Sequence, residues 1–267
     1  MEQNDYFEIN KQLWNERTGI HFTSEFYGVS DFLKGKSSLR NIELDLIGDV
    51  TGKSLLHLQC HFGMDTLSFA RMGAAVTGID LSNEAISKAN ELKQLTNLKA
   101  EFICCNLYDT LQHVNKKFDI VFTSYGTIGW LPDLDKWAEI IVHCLQPGGI
   151  FLLVEFHPLV WMFDNDIKQI TYSYFNKKEI IEEEIGTYTD RNADIKNNKS
   201  ISWNHSLDES ISSLLNAGLQ IESFKEYDYS PYNIYTNGVE IDKDKFQIQG
   251  LEGKLPLVFS VKAKKVY

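Results

Sequence analysis

Residues 54–81 constrain the fold of this chain more than any other segment. An apolar run, Leu55–Gln59, leads into a turn that ends at Gly63, and a second apolar run, Ala75–Asp80, ends in an acid. An apolar run that meets a turn places backbone N–H groups at a helix start, where they bind polar ligands. Asp80 follows Gly63 near the spacing at which a carboxylate binds ribose hydroxyls in nucleoside-binding sheets. We therefore expect a site for an adenosine-type ligand.

Strands and helices alternate along most of the chain. After the first two strands, the pattern predicts strands at Ala100–Cys105, Phe118–Thr123, Ile150–Glu155, Leu219–Phe224 and Leu257–Ala263. Nearly all-apolar strands that are separated by helices are typical of a parallel sheet covered on both faces. The prediction is a seven-stranded α/β sheet with a closing hairpin.

Three helices are predicted from their ends. Gly63–Met72 follows the first strand, Ser82 caps the next helix, and an apolar stripe from Leu134 stops at Pro147-Gly148-Gly149. Near the end of the chain, Ser206-Leu207-Asp208-Glu209 has the form of a capping box.

Two segments do not follow this alternation of strands and helices. Residues 1–50 are polar but rich in aromatics, so we expect an N-terminal helical cap segment. Residues 156–205 are rich in aromatics and charges and are interpreted as an insertion that forms a lid or small antiparallel extension. The main domain is then expected to comprise residues 51–155 and 206–267.

Composition narrows the classes of partner. The net charge of −11 argues against a broad phosphate-binding surface and thus against nucleic acid. The sequence shows no signal peptide and no apolar run long enough to cross a bilayer, so a cytoplasmic protein without a membrane partner is expected. The four cysteines lack CxxC spacing and are interpreted as buried thiols.

Several short motifs occur in a characteristic order: Leu56–Gly63 (LHLQCHFG), Asp65-Thr66-Leu67, Ser124-Tyr125-Gly126, Trp130-Leu131-Pro132-Asp133, Glu155-Phe156-His157-Pro158 and Trp203-Asn204-His205-Ser206-Leu207. Over about residues 50–265 this order resembles the class I S-adenosylmethionine-dependent methyltransferases. Within them it is similar to a bacterial, small-molecule-type subgroup with an LHLQCHFG first motif. The resemblance implies a Rossmann-like sheet of order 3-2-1-4-5-7-6 with strand seven antiparallel.

The first motif departs from most of that superfamily. His57 stands where an acid is usual, and Gln59 and His61 stand where glycines are usual; only Gly63 remains. Glycine permits close approach of the backbone to a ligand. We therefore expect the side chains of Gln59 and His61 to point away from the ligand or to make contacts of their own.

The resemblance implies S-adenosyl-L-methionine as cofactor and S-adenosyl-L-homocysteine as product. Asp80, followed by Leu81, would accept hydrogen bonds from both ribose hydroxyls; Asn106 would contact the adenine amine and the backbone of Leu107 the ring. The positions implied near the methionine end and the sulfonium are Gln59, Cys60, His61, Gly63, Ser124 and Tyr125. Simpler interpretations remain open, because Asp80 and Asn106 also suit a helix cap or a turn.

A general base is needed only if the acceptor must lose a proton. The candidates are Glu155, His157 and His205, and each could instead be structural; Glu155 could also bind an amine or anchor the lid. The histidines show no HxxxH or HxH pairing, so no metal site is expected.

Several aromatic residues are candidates for an aromatic cage around a cation, with core packing as the alternative for each. The candidate substrate residues are Trp14, Tyr27, Trp130 and Tyr188, with Tyr125 beside them.

The leading functional hypothesis is methyl transfer to O, N or S of a small molecule. Residues 124–127 lack the Asp/Asn-Pro-Pro-aromatic form of methyltransferases that act on nucleic-acid amines. One alternative is a non-catalytic protein that binds S-adenosylmethionine. Another is a nicotinamide-dependent oxidoreductase, although the G-x-G-x-x-G turn is missing. The sequence leaves monomer and homodimer open.

Overall fold

A seven-stranded sheet lies at the centre of the protein in the computed structural model, which describes residues 3–267. The strands are β1 (Ser54–Leu58), β2 (Ala75–Asp80), β3 (Ala100–Cys104), β4 (Phe118–Thr123), β5 (Leu145–Phe156), β6 (Ile180–Glu183), β7 (Lys199–Ser202), β8 (Leu219–Tyr227), β9 (Gly238–Asp242), β10 (Lys245–Ile248) and β11 (Val258–Lys265). The helices are α1 (Gln3–Thr23), α2 (Val29–Leu33), α3 (Asn41–Ile47), α4 (Met64–Arg71), α5 (Asn83–Thr96), α6 (Thr110–His113), α7 (Leu134–Cys144) and α8 (Leu207–Asn216).

The order of the large sheet is β3-β2-β1-β4-β5-β11-β8. Strands β1 to β5 pair in parallel, and β11 runs antiparallel to both β5 and β8. The predicted order is therefore confirmed, with β8 as strand six and β11 as strand seven. Because parallel strands end at the same edge, the carboxyl ends of β1, β2, β4 and β5 lie next to one another.

Apolar side chains fill the space on both faces of the sheet. One cluster joins the sheet to α7 and α8, with Trp137 and Phe151 at its centre and Leu214 from α8. The other joins it to α3 and α4 through residues such as Ile42 and Phe69. Each of these buried side chains stabilises the fold by about 1.5–3 kcal/mol.

The ends of two elements differ from the prediction. The apolar stripe of α7 ends at Cys144, and Leu145 already opens β5, so the helix stops before the Pro-Gly-Gly segment. The hydroxyls of Ser82 and Ser206 accept hydrogen bonds from the third following backbone N–H, as predicted for caps. The reciprocal half of the capping box is not formed, because the Glu209 carboxylate contacts Asn176 and His205 instead. The β9–β10 hairpin was not predicted.

Helix α1 and the β6–β7 pair, here called the lid hairpin, contact each other at the top of the sheet. The side chain of Asn10 donates to the carbonyl of Ile201 (2.7 Å) and accepts from its N–H (2.9 Å). On the next turns of α1, Glu16 accepts backbone N–H groups of Lys196 and Asn197. Helix α1 and the lid hairpin are thus joined by hydrogen bonds, and together they are called the cover below. Of the helices within residues 3–267, none combines the length and apolarity needed to cross a membrane.

Candidate active site

A cavity of about 940 Å³ lies between this cover and the carboxyl ends of the parallel strands. The segments that follow β1 to β4 form its floor, and α1 and the lid hairpin contribute its walls. A cavity at this edge of an open parallel sheet is where ligands bind in such folds. Every cofactor residue predicted from the sequence lines it: Gln59, Cys60, His61, Gly63, Asp80, Leu81, Asn106, Leu107, Ser124 and Tyr125.

The turn after β1 keeps a left-handed backbone although two of its residues are not glycine. Gln59, His61 and Gly63 have φ angles of 53°, 49° and 75°. A left-handed residue other than glycine costs about 1 kcal/mol. The side-chain amide of Gln59 donates to the carbonyl of Thr127 (2.9 Å), which ties the turn to the segment after β4 and leaves Gln59 Oε1 buried without a partner among the described residues.

The carboxylate of Asp80 is held at the end of β2. One oxygen accepts the N–H of His61 (2.7 Å) and the other accepts the N–H of Ser82 (2.8 Å). Burial raises the pKa of Asp80 to about 6, although these backbone donors act in the opposite direction. Each oxygen has a second lone pair, so the carboxylate still has capacity for ligand hydroxyls.

Asn106 acts as a cap in a turn, which is one of the two roles that the sequence left open for it. Its side-chain oxygen accepts the N–H of Tyr108 (3.0 Å) and caps a short 3-10 helix, Leu107–Asp109. The residue lines the cavity as well, so capping and ligand contact are compatible. Cys60 is buried and packs under Gly78.

His57 occupies the position where an acid is usual, and it is buried in β1. Its ring nitrogens lie 2.9 Å from Thr66 Oγ1 and 3.2 Å from Ser124 Oγ. Burial lowers the pKa of His57 to about 3, so the ring is neutral at physiological pH. These hydrogen bonds link β1 to helix α4 through Thr66 and to the residue after β4 through Ser124. Tyr125 donates its hydroxyl to the buried Glu43 (2.8 Å).

Glu155, a candidate base, anchors the segment after β4. Its carboxylate accepts the backbone N–H groups of Gly126, Thr127 (2.8 Å), Ile128 (3.2 Å) and Phe156 (2.7 Å). Burial raises the pKa of Glu155, whereas these four donors lower it. A carboxylate with this many fixed donors is committed to positioning the backbone, and it has little capacity left to take a proton from an acceptor.

His157, a candidate base in the sequence analysis, directly follows β5. It does not line the cavity. Its Nδ1 accepts the N–H of Leu159 (3.1 Å), and its Nε2 lies 3.0 Å from Glu226. The chain leaves β5 at this point, and the ring packs near Phe259 instead of facing the cavity.

His205 lines the cavity; its Nε2 is hydrogen-bonded, whereas its Nδ1 lies beside a carboxylate without hydrogen-bond geometry. Nε2 lies 2.8 Å from the carbonyl of Leu131, and Nδ1 lies 2.9 Å from the carboxylate of Glu209. A carbonyl can only accept, so Nε2 carries a proton. The ring therefore fixes the start of α8 against the segment after β4, and this geometry does not favour a base role.

Replacing His157 with alanine is expected to leave cofactor affinity unchanged and activity within about threefold of the wild type, because the side chain lies outside the cavity. Removal of a true general base lowers the rate by about 100-fold or more. Initial rates at 25 °C, normalised to folded protein by circular dichroism, decide the point. A loss of two orders of magnitude would restore His157 as a base.

The four predicted substrate residues, Trp14, Tyr27, Trp130 and Tyr188, all line the cavity. The Trp14 and Trp130 rings contact edge to face (5.4 Å), and the Tyr27 and Tyr188 hydroxyls lie 2.5 Å apart. They form one aromatic wall.

The sequence interpretation missed His21, which is fully buried and packs behind this wall without lining the cavity. Its ring lies 4.7 Å from that of Tyr188, and its Nδ1 is 3.1 Å from His61 Nε2. The signal was available, because His21 follows Trp14 by seven residues and so shares its face of α1. Within residues 3–267, no three His, Cys, Asp or Glu side chains form a group that could hold a metal ion.

A sheet of this order, with a carboxylate and a turn of backbone donors at the ends of β2 and β1, defines the fold of the S-adenosylmethionine-dependent methyltransferases. Residues 55–149 match the family described as a methyltransferase domain. The chain therefore has the fold of the methyltransferases, and residues 55–149 are similar to a methyltransferase domain.

Curated relatives agree at this level. An uncharacterized methyltransferase of Synechocystis sp. is 30% identical over 132 residues, which are 48% of this chain and 59% of that protein. An uncharacterized methyltransferase of Bacillus subtilis is 21% identical over 233 residues, 81% of this chain and 89% of that protein. The chain thus aligns with little more than half of the Synechocystis protein.

Solved structures share the fold. A S-adenosylmethionine-dependent methyltransferase from Clostridium acetobutylicum superposes with a TM-score of 0.58 at 15% identity, covering 94% of this chain and 98% of that one. A glycopeptide N-methyltransferase complexed with S-adenosylmethionine superposes with a TM-score of 0.52 at 14% identity, covering 83% and 91%.

Proposed function

We propose that this protein is an enzyme that binds S-adenosyl-L-methionine and methylates a small molecule at O, N or S. One observation carries the proposal: the Asp80 carboxylate lies beside the backbone donors of the turn after β1, at the floor of a large cavity. The LHLQCHFG motif forms that turn, which supports membership in the small-molecule subgroup.

The residues present fit this cofactor. Asp80 would hold the ribose hydroxyls, Asn106 and Leu107 the adenine, and the turn from Gln59 to Gly63 the methionine end, with Leu81, Ser124 and Tyr125 completing the wall. Gln59 Oε1, a buried acceptor without a partner among the described residues, supports a ligand donor at this turn. When bound, S-adenosylmethionine supplies a methyl group already activated by the sulfonium.

The chain's own contribution is alignment and exclusion of water. The cover places an aromatic wall over the cavity, and Glu155 fixes the segment that carries Ser124 and Tyr125. Because Glu155, His157 and His205 are engaged in structural hydrogen bonds, we propose that the protein orients its reactants without using them as bases. The position of the cavity under the cover and the net charge of −11 favour a small acceptor over nucleic acid.

Replacing Asp80 with asparagine is expected to weaken binding of S-adenosylhomocysteine about 10- to 100-fold, because charge-assisted hydrogen bonds contribute about 1.5–3 kcal/mol. Isothermal calorimetry measures the change. Asp135→Asn, on the exposed face of α7, is the matched control and should bind like the wild type. Equal affinities of wild type and Asp80→Asn would reject the ribose role.

Two further measurements separate the alternatives. Tight binding of NAD in place of S-adenosylmethionine would indicate the oxidoreductase. Binding of S-adenosylmethionine without formation of S-adenosylhomocysteine over a broad panel of small phenols, amines and thiols would indicate a non-catalytic binding protein.

A further inference from the structure

Strand β6, the first strand of the lid hairpin, and the residues that continue it have the reverse of the usual amphipathic pattern: two acids are more buried than two neighbouring apolar residues. Burial alternates along β6 and its continuation: Glu182 and Glu184 are half-buried at the cavity, whereas Glu183 between them lies at its exposed rim. Their neighbours Ile181 and Ile185 are 44% and 86% exposed. Surface strands usually bury their apolar side and expose their charges. Placing carboxylates inward is unfavourable unless something in the cavity compensates them.

One of the two acids is compensated by the protein. Glu184 forms an ion pair with Arg17 of α1, with 2.7 Å between Oε2 and Nη2. Glu182 accepts only the hydroxyl of Tyr172 (2.5 Å), and no Lys, Arg or His of residues 3–267 lies within ion-pair distance of it. Together, Arg17, Glu182 and Glu184 carry one net negative charge at the end of the cavity beside the lid hairpin.

Arg17 supplies an independent indication of a ligand. The residue is only 4% exposed and lines the cavity, and its guanidinium lies 5.7 Å from the centre of the Trp14 ring. Its Nε–H is buried and has no hydrogen-bond partner among the described residues. Buried donors are nearly always paired in folded proteins, so this N–H requires an acceptor atom from a bound molecule.

We propose that Glu182 and Arg17 form the subsite for the methyl acceptor, and that they select a small molecule carrying a protonated amine and a hydrogen-bond-accepting oxygen. This inference rests on the proposed function. Glu182 binds the ammonium, the Nε of Arg17 donates to the oxygen, and Trp14 and Tyr188 contact the body of the molecule. The protonated amine has no lone pair, so it serves for binding while another atom takes the methyl group.

Three probes of the same shape test the charge preference. Tyramine is cationic, tyrosol is neutral, and 3-(4-hydroxyphenyl)propionate is anionic, and all three carry a phenol. Each is titrated by calorimetry into the wild type, with and without S-adenosylhomocysteine. We expect tyramine to bind at least about tenfold more tightly than tyrosol, and the anion to bind weakest.

Glu182→Gln should bring tyramine to within about threefold of tyrosol, because it removes the charge at nearly constant shape. Glu139→Gln, which makes the same change on the exposed face of α7 outside the cavity, should keep the full preference. Equal affinities for the three probes, no measurable binding of tyramine, or an unchanged preference in Glu182→Gln would each overturn the inference. If Glu182→Gln does not fold, the wild-type preference alone decides.

The same titrations separate this inference from the function on which it rests. Binding of S-adenosylhomocysteine without a preference for tyramine overturns only the acceptor subsite. A preference for tyramine without binding of S-adenosylhomocysteine overturns the cofactor assignment and keeps the amine subsite.

Discussion

Replacing Glu155 with alanine is expected to lower the free energy of unfolding by about 4 kcal/mol, because several buried backbone N–H groups would lose their acceptor at once. Those groups belong to Gly126, Thr127, Ile128 and Phe156, which join the segment after β4 to the end of β5. Urea unfolding at 25 °C gives the difference. Cofactor affinity should fall as well, because the same segment carries Ser124 and Tyr125.

Glu139→Ala is the control for this change. Glu139 is exposed on α7, so its loss should alter the free energy of unfolding by less than about 0.5 kcal/mol. The loss of unfolding free energy in Glu155→Gln should lie between those in Glu155→Ala and Glu139→Ala. An amide keeps one accepting oxygen but presents an N–H group to the other donors. If Glu155→Ala costs less than about 1 kcal/mol, the carboxylate does not anchor the segment.

Replacing Gly63 with alanine is expected to destabilise the fold by about 2–4 kcal/mol for two additive reasons. Its φ of 75° is left-handed, and a Cβ atom there would lie 2.6 Å from the ring of Phe102 and 3.1 Å from the Cβ of Ala89. The helix α4 begins at the next residue, so the displacement would also move the turn that faces the cavity. Urea unfolding and calorimetry with S-adenosylhomocysteine measure both effects.

Gly52→Ala separates the two reasons. Gly52 has nearly the same φ, 72°, but a Cβ atom there would have no neighbour within 4 Å. Gly52→Ala should therefore lower the free energy of unfolding only by the backbone contribution of about 1 kcal/mol. Equal losses at both positions would show that Phe102 moves aside freely and that crowding is unimportant.

The centre of the sheet could be predicted because strands such as β1 and β4 are nearly continuous apolar runs, and a parallel sheet covered on both faces buries such runs. The place of Asp80 at the end of β2 followed from the same pattern. The β9–β10 hairpin escaped because its strands are short and half exposed, with little apolar alternation. Local pattern thus predicted what is buried in the sheet and failed where burial is slight.

The site was less predictable because its key facts depend on contacts between distant residues. Gln59 and His61 hold left-handed angles that sequence alone favours only for glycine, and the link from Gln59 to Thr127 crosses strands. The role of Glu155 depends on where four backbone N–H groups lie in space. His157 was a reasonable candidate by position, but its ring contacts Leu159 and Glu226 and does not line the cavity, although Phe156 and Pro158 on either side do. No local pattern contains that information.

Helix α1 is fastened at two places that are far apart in the sequence. Asn15 accepts the hydroxyl of Ser82, next to Asp80, while Asn10 pairs with Ile201 in the lid hairpin. Because both attachments lie on one helix, we expect the ends of the cavity beside Ser82 and beside Ile201 to gain and lose access to solvent together. The affinities for the two proposed reactants would then be thermodynamically linked, since the first to bind would lower the entropic cost of ordering the helix for the second.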